Sequence, residues 1–294
     1  MKFTSFFLFI FLICNYSVGQ TLLRYHLKVG DRFLIQQHAH QTITQESDGM
    51  AHVITNDLQG VMEFDVVKEK EDAYQIEVVF KNLKLKVNSS LQGDLLLVDA
   101  LDFEKDDAQS KMFNSLLNIP VTILMSNRGE IQEVIGGDQL VAKMIEASGT
   151  EDPNEIEYLK ISLNNEFGSE ALSESYEQLT FIYPAEAQKK GDLWQNEFDG
   201  KLKAKNTWTL AGITKDSLHI QGSSKITMDI NDENSSMKLE GSQNSTVNVN
   251  TKSGFVSKMR VEGVAEGVAL VGALGAKEIP TQIKSTIIYQ LIEN

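Results

Sequence analysis

Three histidines are the residues of this chain best spaced to do chemistry. His38 and His40 are two apart, so on a β-strand they share a face, and a hairpin turning at Glu46-Ser47-Asp48-Gly49 can bring His52 onto the neighbouring strand. Three imidazoles on one face are a zinc or copper site, which would make the protein a metal-dependent hydrolase. Whether His52 joins the pair depends on one residue of register, since a slip by one sends it to the other side of the sheet. No acidic partner is fixed beside the three by spacing, so the plain alternative is a set of solvent-facing strand histidines.

A second constellation is acidic. Asp229, Asn231, Glu233 and Glu240 fall at positions one, three, five and twelve of a calcium-loop spacing. Asn234 stands where that loop needs glycine, and the flanks alternate like strands where helices are required, so a polar hairpin is expected instead. Carboxylate pairs such as Asp106 with Asp107 or Glu155 with Glu157 arise freely in a chain with 41 Asp and Glu. Nothing in their spacing marks a general acid opposite a base. The Gly-x-Ser-x-Gly elbow, the Gly-Lys-Ser/Thr phosphate loop and the His-Glu-x-x-His zinc motif are all missing from the sequence. The expectation is no catalytic residue and no cofactor, with His38, His40 and His52 as the metal candidates.

The elements that position these residues read mostly as strands. Residues 1–19 carry one positive charge at Lys2, an apolar run from Phe6 to Cys14 and a small-residue site at Ser17-Val18-Gly19, the grammar of a cleaved secretory signal peptide. Ile13 before Cys14 does not suit lipid attachment at that cysteine, and cleavage would remove the only cysteine, leaving a core without disulfides. The net charge of −14 argues against nucleic acid and anionic membrane surfaces as partners. No apolar run in the mature chain is long enough to span a bilayer as a helix.

Period-two alternation dominates residues 20–136 and again 181–294, with a helical insertion at 137–180 between them. Leu22–Thr44 reads as extended. Tyr74, Ile76, Val78 and Phe80 alternate on one parity and Leu83, Leu85 and Val87 on the other, so a bulge or tight turn is expected near Lys81-Asn82. Asp102–Asn118 reads as a helix ended by Pro120. Asp152, Pro153 and Glu155 specify a helix start, with Ile156, Leu159, Leu163 and Phe167 as its buried stripe. Gly263–Ala276 reads as a buried connector before a last strand whose inward set is Ile283, Ile287, Tyr289 and Leu291.

The two β-rich halves echo each other. Lys28-Val29-Gly30-Asp31-Arg32-Phe33 and Lys189-Lys190-Gly191-Asp192-Leu193-Trp194 each describe a turn into a strand, with glycine free to take a positive φ and an aromatic to anchor the strand. The turns at Ser126-Asn127-Arg128-Gly129 and Thr251-Lys252-Ser253-Gly254 follow in the same order. The expected fold is α+β and mostly antiparallel: a large curved sheet or open barrel from two related halves, forming one continuous domain over 20–294.

With the signal ending Ser17-Val18-Gly19-Gln20 and the Ile279-Pro280-Thr281 before the last strand, these motifs resemble a family of secreted Bacteroidota proteins whose domain has no assigned function. The resemblance covers nearly all the mature chain and implies a periplasmic or surface location, with no catalytic residues to carry over. The leading expectation is a non-enzymatic exported protein that binds a hydrophobic small molecule or an envelope component through a sheet face or barrel mouth. The alternatives are a structural or protein-interaction module of the envelope, and the metal-dependent enzyme built on the histidines.

Overall fold

The computed structural model describes residues 20–47, 49–104, 107–232, 235–271 and 277–292. The leader at 1–19, with Cys14, lies outside them. Strands β1 (Arg32–Ser47), β2 (Met50–Glu69), β3 (Ala73–Ser89) and β4 (Gly93–Asp99) come first. Helix α1 (Ala108–Asn114), the hairpin β5 (Pro120–Ser126) and β6 (Ile131–Ile135), and helices α2 (Gly137–Ser148), α3 (Pro153–Phe167) and α4 (Ser169–Thr180) follow. The chain finishes as β7 (Leu193–Phe198), β8 (Leu202–Ile213), β9 (Ser217–Asp232), β10 (Ser235–Asn250), β11 (Val256–Val271) and β12 (Lys277–Ile292).

Among the described residues the twelve strands form one curved antiparallel sheet in the order β6-β5-β3-β2-β1-β12-β11-β10-β9-β8-β7, with β4 added beside β3. The sheet does not close. Its end strands β6 and β7 are both touched by α4, and Glu177 on that helix accepts the backbone N–H of Ile131 at 3.3 Å while Asn196 on β7 donates to the Phe181 carbonyl at 2.5 Å. Glu177 thus satisfies one backbone N–H on the β6 edge, and the Asn196 bond ties β7 to the C-terminal end of α4.

The two Gly-Asp turns match bond for bond. Gly30 and Gly191 sit at φ 91° and 92°. Asp31 accepts the Lys28 N–H at 2.8 Å and Asp192 that of Lys189 at 3.0 Å, while Gly30 donates to Val66 and Gly191 to Leu210. The aromatic that follows faces another aromatic across the ladder in each case, Phe33 opposite Phe64 and Trp194 opposite Trp208. From there β1-β2-β3 and β7-β8-β9 proceed across the sheet in the same direction.

One end of the curved sheet is filled by an aromatic core. Residues 22–29, read as extended together with the strand that follows, lie outside the strand ladder and run as a strap against this core, joined to the rest of the chain by the Thr21–Gln188 bridge. The strap passes between the two glycine turns, with Tyr25 N–H bonding Asn127 and His26 N–H bonding Ser253. The buried Tyr25 ring meets Tyr183 at 5.1 Å and Phe255 at 6.0 Å, edge to face, and Phe33 stacks on Phe255 at 4.0 Å.

Three expectations are corrected. The helix read over 102–118 occupies only Ala108–Asn114, because Asp102 is engaged in a turn whose N–H groups bond Asp99 and Asn118 takes a φ of 58°. Gly263 and Gly267 belong to β11 and not to a connector; a Cβ on Gly267 would fall 2.1 Å from the Lys238 carbonyl, so the glycine admits the close approach of β10. Residues 272–276 of that piece lie outside the described residues. On α3 the capped start holds, with Asp152 accepting from Asn154 N–H, but only Leu163 of the expected stripe is buried, and Tyr158 and Ile161 face solvent.

Candidate functional site

The register separates the histidines. On β1 the odd residues share the inner face with buried Ile35, which puts His38 and His40 on the outer face. His52 pairs with Gln45, an inner-face position seven residues along β1 from His38, roughly 23 Å at the rise of a strand. His40 bonds Asp57 at 2.6 Å and His52 bonds Ser89 at 2.9 Å. Among the described residues no group of three His, Cys, Asp or Glu is placed to hold a metal ion. Asp229 and Asn231 bond each other at the end of β9, and Glu240 lies opposite Thr227 on β10, so strands flank the segment as expected of a hairpin; Glu233 is outside the described residues. Asp107 caps α1 and Asp106 is outside the described residues, while Glu155 and Glu157 are exposed on α3.

What the fold does enclose is a cavity of about 460 Å³ between the inner face of β1 to β4 and the α3–α4 corner. Its sheet wall is apolar. Leu58, Gly60 and Met62 come from alternate positions of β2, and Phe80, Leu83 and Leu85 from β3. The last three change parity and still face inward, because a bulge lets Met62 pair with Phe80 and Val61 with Asn82, leaving Lys81 as the extra residue. Gly60 leaves the floor open, since a Cβ there would meet nothing closer than 3.9 Å. Leu96 on β4 and Phe113 on α1 close one side, with Phe167 meeting Phe113 at 5.9 Å and Phe80 at 6.3 Å.

The helical wall brings Leu163, Leu172 and Tyr176 inward and sets polar groups at the mouth. Asn165, Glu166 and Lys201 are exposed there, and Glu174 is half-buried. Lys201 donates its ammonium to the Asn165 carbonyl at 2.5 Å and its backbone N–H to Glu174 at 3.2 Å. Although much of Glu166 stays exposed, neighbouring atoms displace part of its carboxyl's hydration and raise it above its ordinary value, with Lys201 opposing the shift. Burial likewise raises the Tyr176 phenol, which remains a neutral donor. The Tyr176 hydroxyl has no hydrogen-bond partner among the described residues, whereas Tyr25, Tyr74 and Tyr183 each donate to a backbone carbonyl.

Beyond the cavity a polar row crosses the inner face. Asn206, Ser224, Gln243, Gly263, Ser285, Gln41 and Asn56 are successive register partners on seven strands. Ser224 donates to Asn206 at 2.5 Å, Asn206 donates to Asn196, and Asn56 donates to Gln41. The void beside this row is about 20 Å³, room for about one water, so the interior there is filled. Neither the row nor the cavity has a sequence signal of its own, because each is assembled one residue per strand. The one local cue was the switch of parity after Phe80. No helix among the described residues is long and apolar enough to cross a membrane.

The profile of a family described as a family of unknown function (DUF6263) matches residues 71–256. No curated protein matches the chain. Among solved structures, lipovitellin, solved in a study of its lipid–protein interactions, aligns with a TM-score of 0.54 at 9% identity, over 91% of this chain and 26% of that one. The likeness is one of fold, and this chain spans about a quarter of lipovitellin's length. An outer membrane channel from Pseudomonas putida F1 aligns at 0.26 and 8% identity over 91% and 97% of the two chains. The translocator domain of the autotransporter NalP from Neisseria meningitidis aligns at 0.21 and 9% identity over 90% and 89%. Scores this low carry no argument.

Proposed function

The chain belongs to the DUF6263 family of unknown function, and since membership brings no activity with it, we propose from the cavity an exported, non-enzymatic envelope protein that binds a hydrophobic ligand. One observation carries this reading. A cavity of about 460 Å³, walled by Leu58, Met62, Phe80, Leu83 and Leu85 and ringed at its mouth by polar groups, has the size and lining of a site for one small apolar molecule. Export follows from the leader pattern of residues 1–19, and the absence of nucleophile motifs favours binding over catalysis. Lipovitellin's related fold adds support by analogy of architecture alone.

The proposal extends to origin: residues 20–136 and 181–294 are copies of one strand-rich unit, the matched Gly30-Asp31 and Gly191-Asp192 turns being what persists of the duplication. The ligand reading is tested by native mass spectrometry of the protein, expressed with its own leader and purified from its periplasm. A discrete small-molecule adduct, lost on denaturation, is the expected result. A bare mass under conditions that preserve a control lipid carrier's adduct would sink the reading.

A further inference from the structure

Strand β4 is apolar on both of its faces. Leu96 lines the cavity and Val98 is buried beside it. The other side is open to solvent: Leu91 is 71% exposed, Leu95 45%, Leu97 62% and Leu101 58%. A bulge explains one of them, since Val87 pairs with Leu96 and Asn88 with Asp94, leaving Leu95 without a ladder partner and free to project. Leu97 stands opposite Lys86 on the outer face. Scattered exposed leucines are ordinary, but four within residues 91–101 forfeit the gain of burial together and mark a surface that something covers.

The groups around these leucines say what covers them. An added strand would need free backbone along β4, and α1 already engages one end of that edge. There the Asp99 N–H donates to the Ser110 hydroxyl at 3.1 Å, and Asn114 donates to the Ala100 carbonyl at 2.7 Å. The bulge at Leu95 breaks the ladder further along. A charged protein partner finds no field of one sign beside Leu97, because Lys84 is paired with Asp99 at 2.5 Å and Lys86 with Asp94 at 3.1 Å. Leucines framed by neutralised ion pairs suit a zwitterionic lipid surface, which takes apolar side chains and asks for neither backbone bonds nor net charge. Asp102 and Glu104, exposed just past Leu101, oppose anionic headgroups, as does the net charge of −14.

We propose that β4 and its flanking turns dock the protein on a zwitterionic phospholipid surface, with Leu91, Leu95, Leu97 and Leu101 entering the interface. The same strand supplies Leu96 to the cavity wall, so docking brings the cavity beside the lipid. A role for the cavity in that encounter rests on its being a ligand site; the docking does not.

The test is sedimentation of the mature chain with vesicles of phosphatidylcholine at pH 7.5. Saturable binding that added salt leaves unchanged is expected, and mixing in anionic phosphatidylglycerol should weaken it. Leu97→Gln should weaken it by about tenfold, and Leu95→Gln with Leu97→Gln by more, with thermal midpoints held because both side chains are already exposed. Leu193→Gln, at an exposed leucine on the β7 edge, should bind as the parent does. No binding to phosphatidylcholine, binding that survives the double substitution, or an equal loss in Leu193→Gln would overturn the docking face. A parent dimer in light scattering that Leu97→Gln dissociates would assign the leucines to a second copy and overturn it too. The neutral fluorescent probe N-phenyl-1-naphthylamine, titrated without vesicles, reads the cavity separately. Its failure to bind a chain that still docks would sink the ligand site and leave the docking face standing.

Discussion

Lys201 holds the backbone carbonyl of Asn165 at 2.5 Å, tying the approach to β8 to the last turns of α3. The contact lies at the cavity mouth and links the helical insertion to the second β-rich half. Lys201→Ala removes the ammonium and keeps the backbone N–H that bonds Glu174. Amide exchange in residues 163–178 should then speed up by roughly tenfold, with β1 and β2 unchanged, because the opening is local. Unaltered protection of those helices would show that Lys201 does not hold the mouth.

The glycine turns predict two different costs for the same substitution. Gly254 has φ 69° and its added Cβ would fall 2.1 Å from the Arg24 carbonyl, against the strap that carries Tyr25. Gly191 has φ 92° but nothing within 4 Å of that Cβ. Gly191→Ala should therefore lose only the backbone term, about 1–2 kcal/mol. Gly254→Ala should lose about 3 kcal/mol or more, since the strap must move as well. Urea midpoints at constant slope measure both, and equal losses would mean the strap packs loosely.

Burial holds the Glu177 carboxyl above its ordinary value of 4.5, the Ile131 N–H opposes the shift, and the Glu130 and Glu174 charges add to it. An acid whose folded value is raised binds its proton more tightly when folded. Its stabilising contribution is full below the unfolded value near 4.5 and is lost as pH rises through the folded value. Glu177→Gln keeps an oxygen for Ile131 and cannot ionise, so its thermal midpoint should fall less than the parent's between pH 4.5 and 8. Parallel curves for the two proteins would remove Glu177 from the pH response.

Much of the architecture was legible because it is local. The alternation along Tyr74–Phe80, the parity switch at Lys81-Asn82 and the Asp152-Pro153 helix start each depend on neighbours in sequence, and the bulge at that switch shapes the cavity wall. Asp102 misled because its turn, in which its N–H bonds the Asp99 carboxylate, competes with a helix. Gly263 and Gly267 misled because small residues suit a tight strand pair as well as a connector, and only the approach of β10 distinguishes the two. The histidine site turned on register, which placed His52 opposite Gln45 and not beside His38. The cavity, with Gly60, Leu163 and Tyr176 more than a hundred residues apart in part, had no pattern for a linear reading to find.

Gly60 offers the most direct test that the cavity is where a ligand sits. A leucine there meets no backbone clash, its Cβ resting in ordinary contact with Leu58 and Leu83, and its side chain would fill the floor of the cavity. Titration of N-phenyl-1-naphthylamine into the parent protein should show saturable one-to-one binding with a blue shift. In Gly60→Leu, affinity should drop by about tenfold or more while the thermal midpoint holds or rises, as expected when a side chain replaces glycine within a strand. Equal probe affinity in the two proteins, with both folded, would contradict the account.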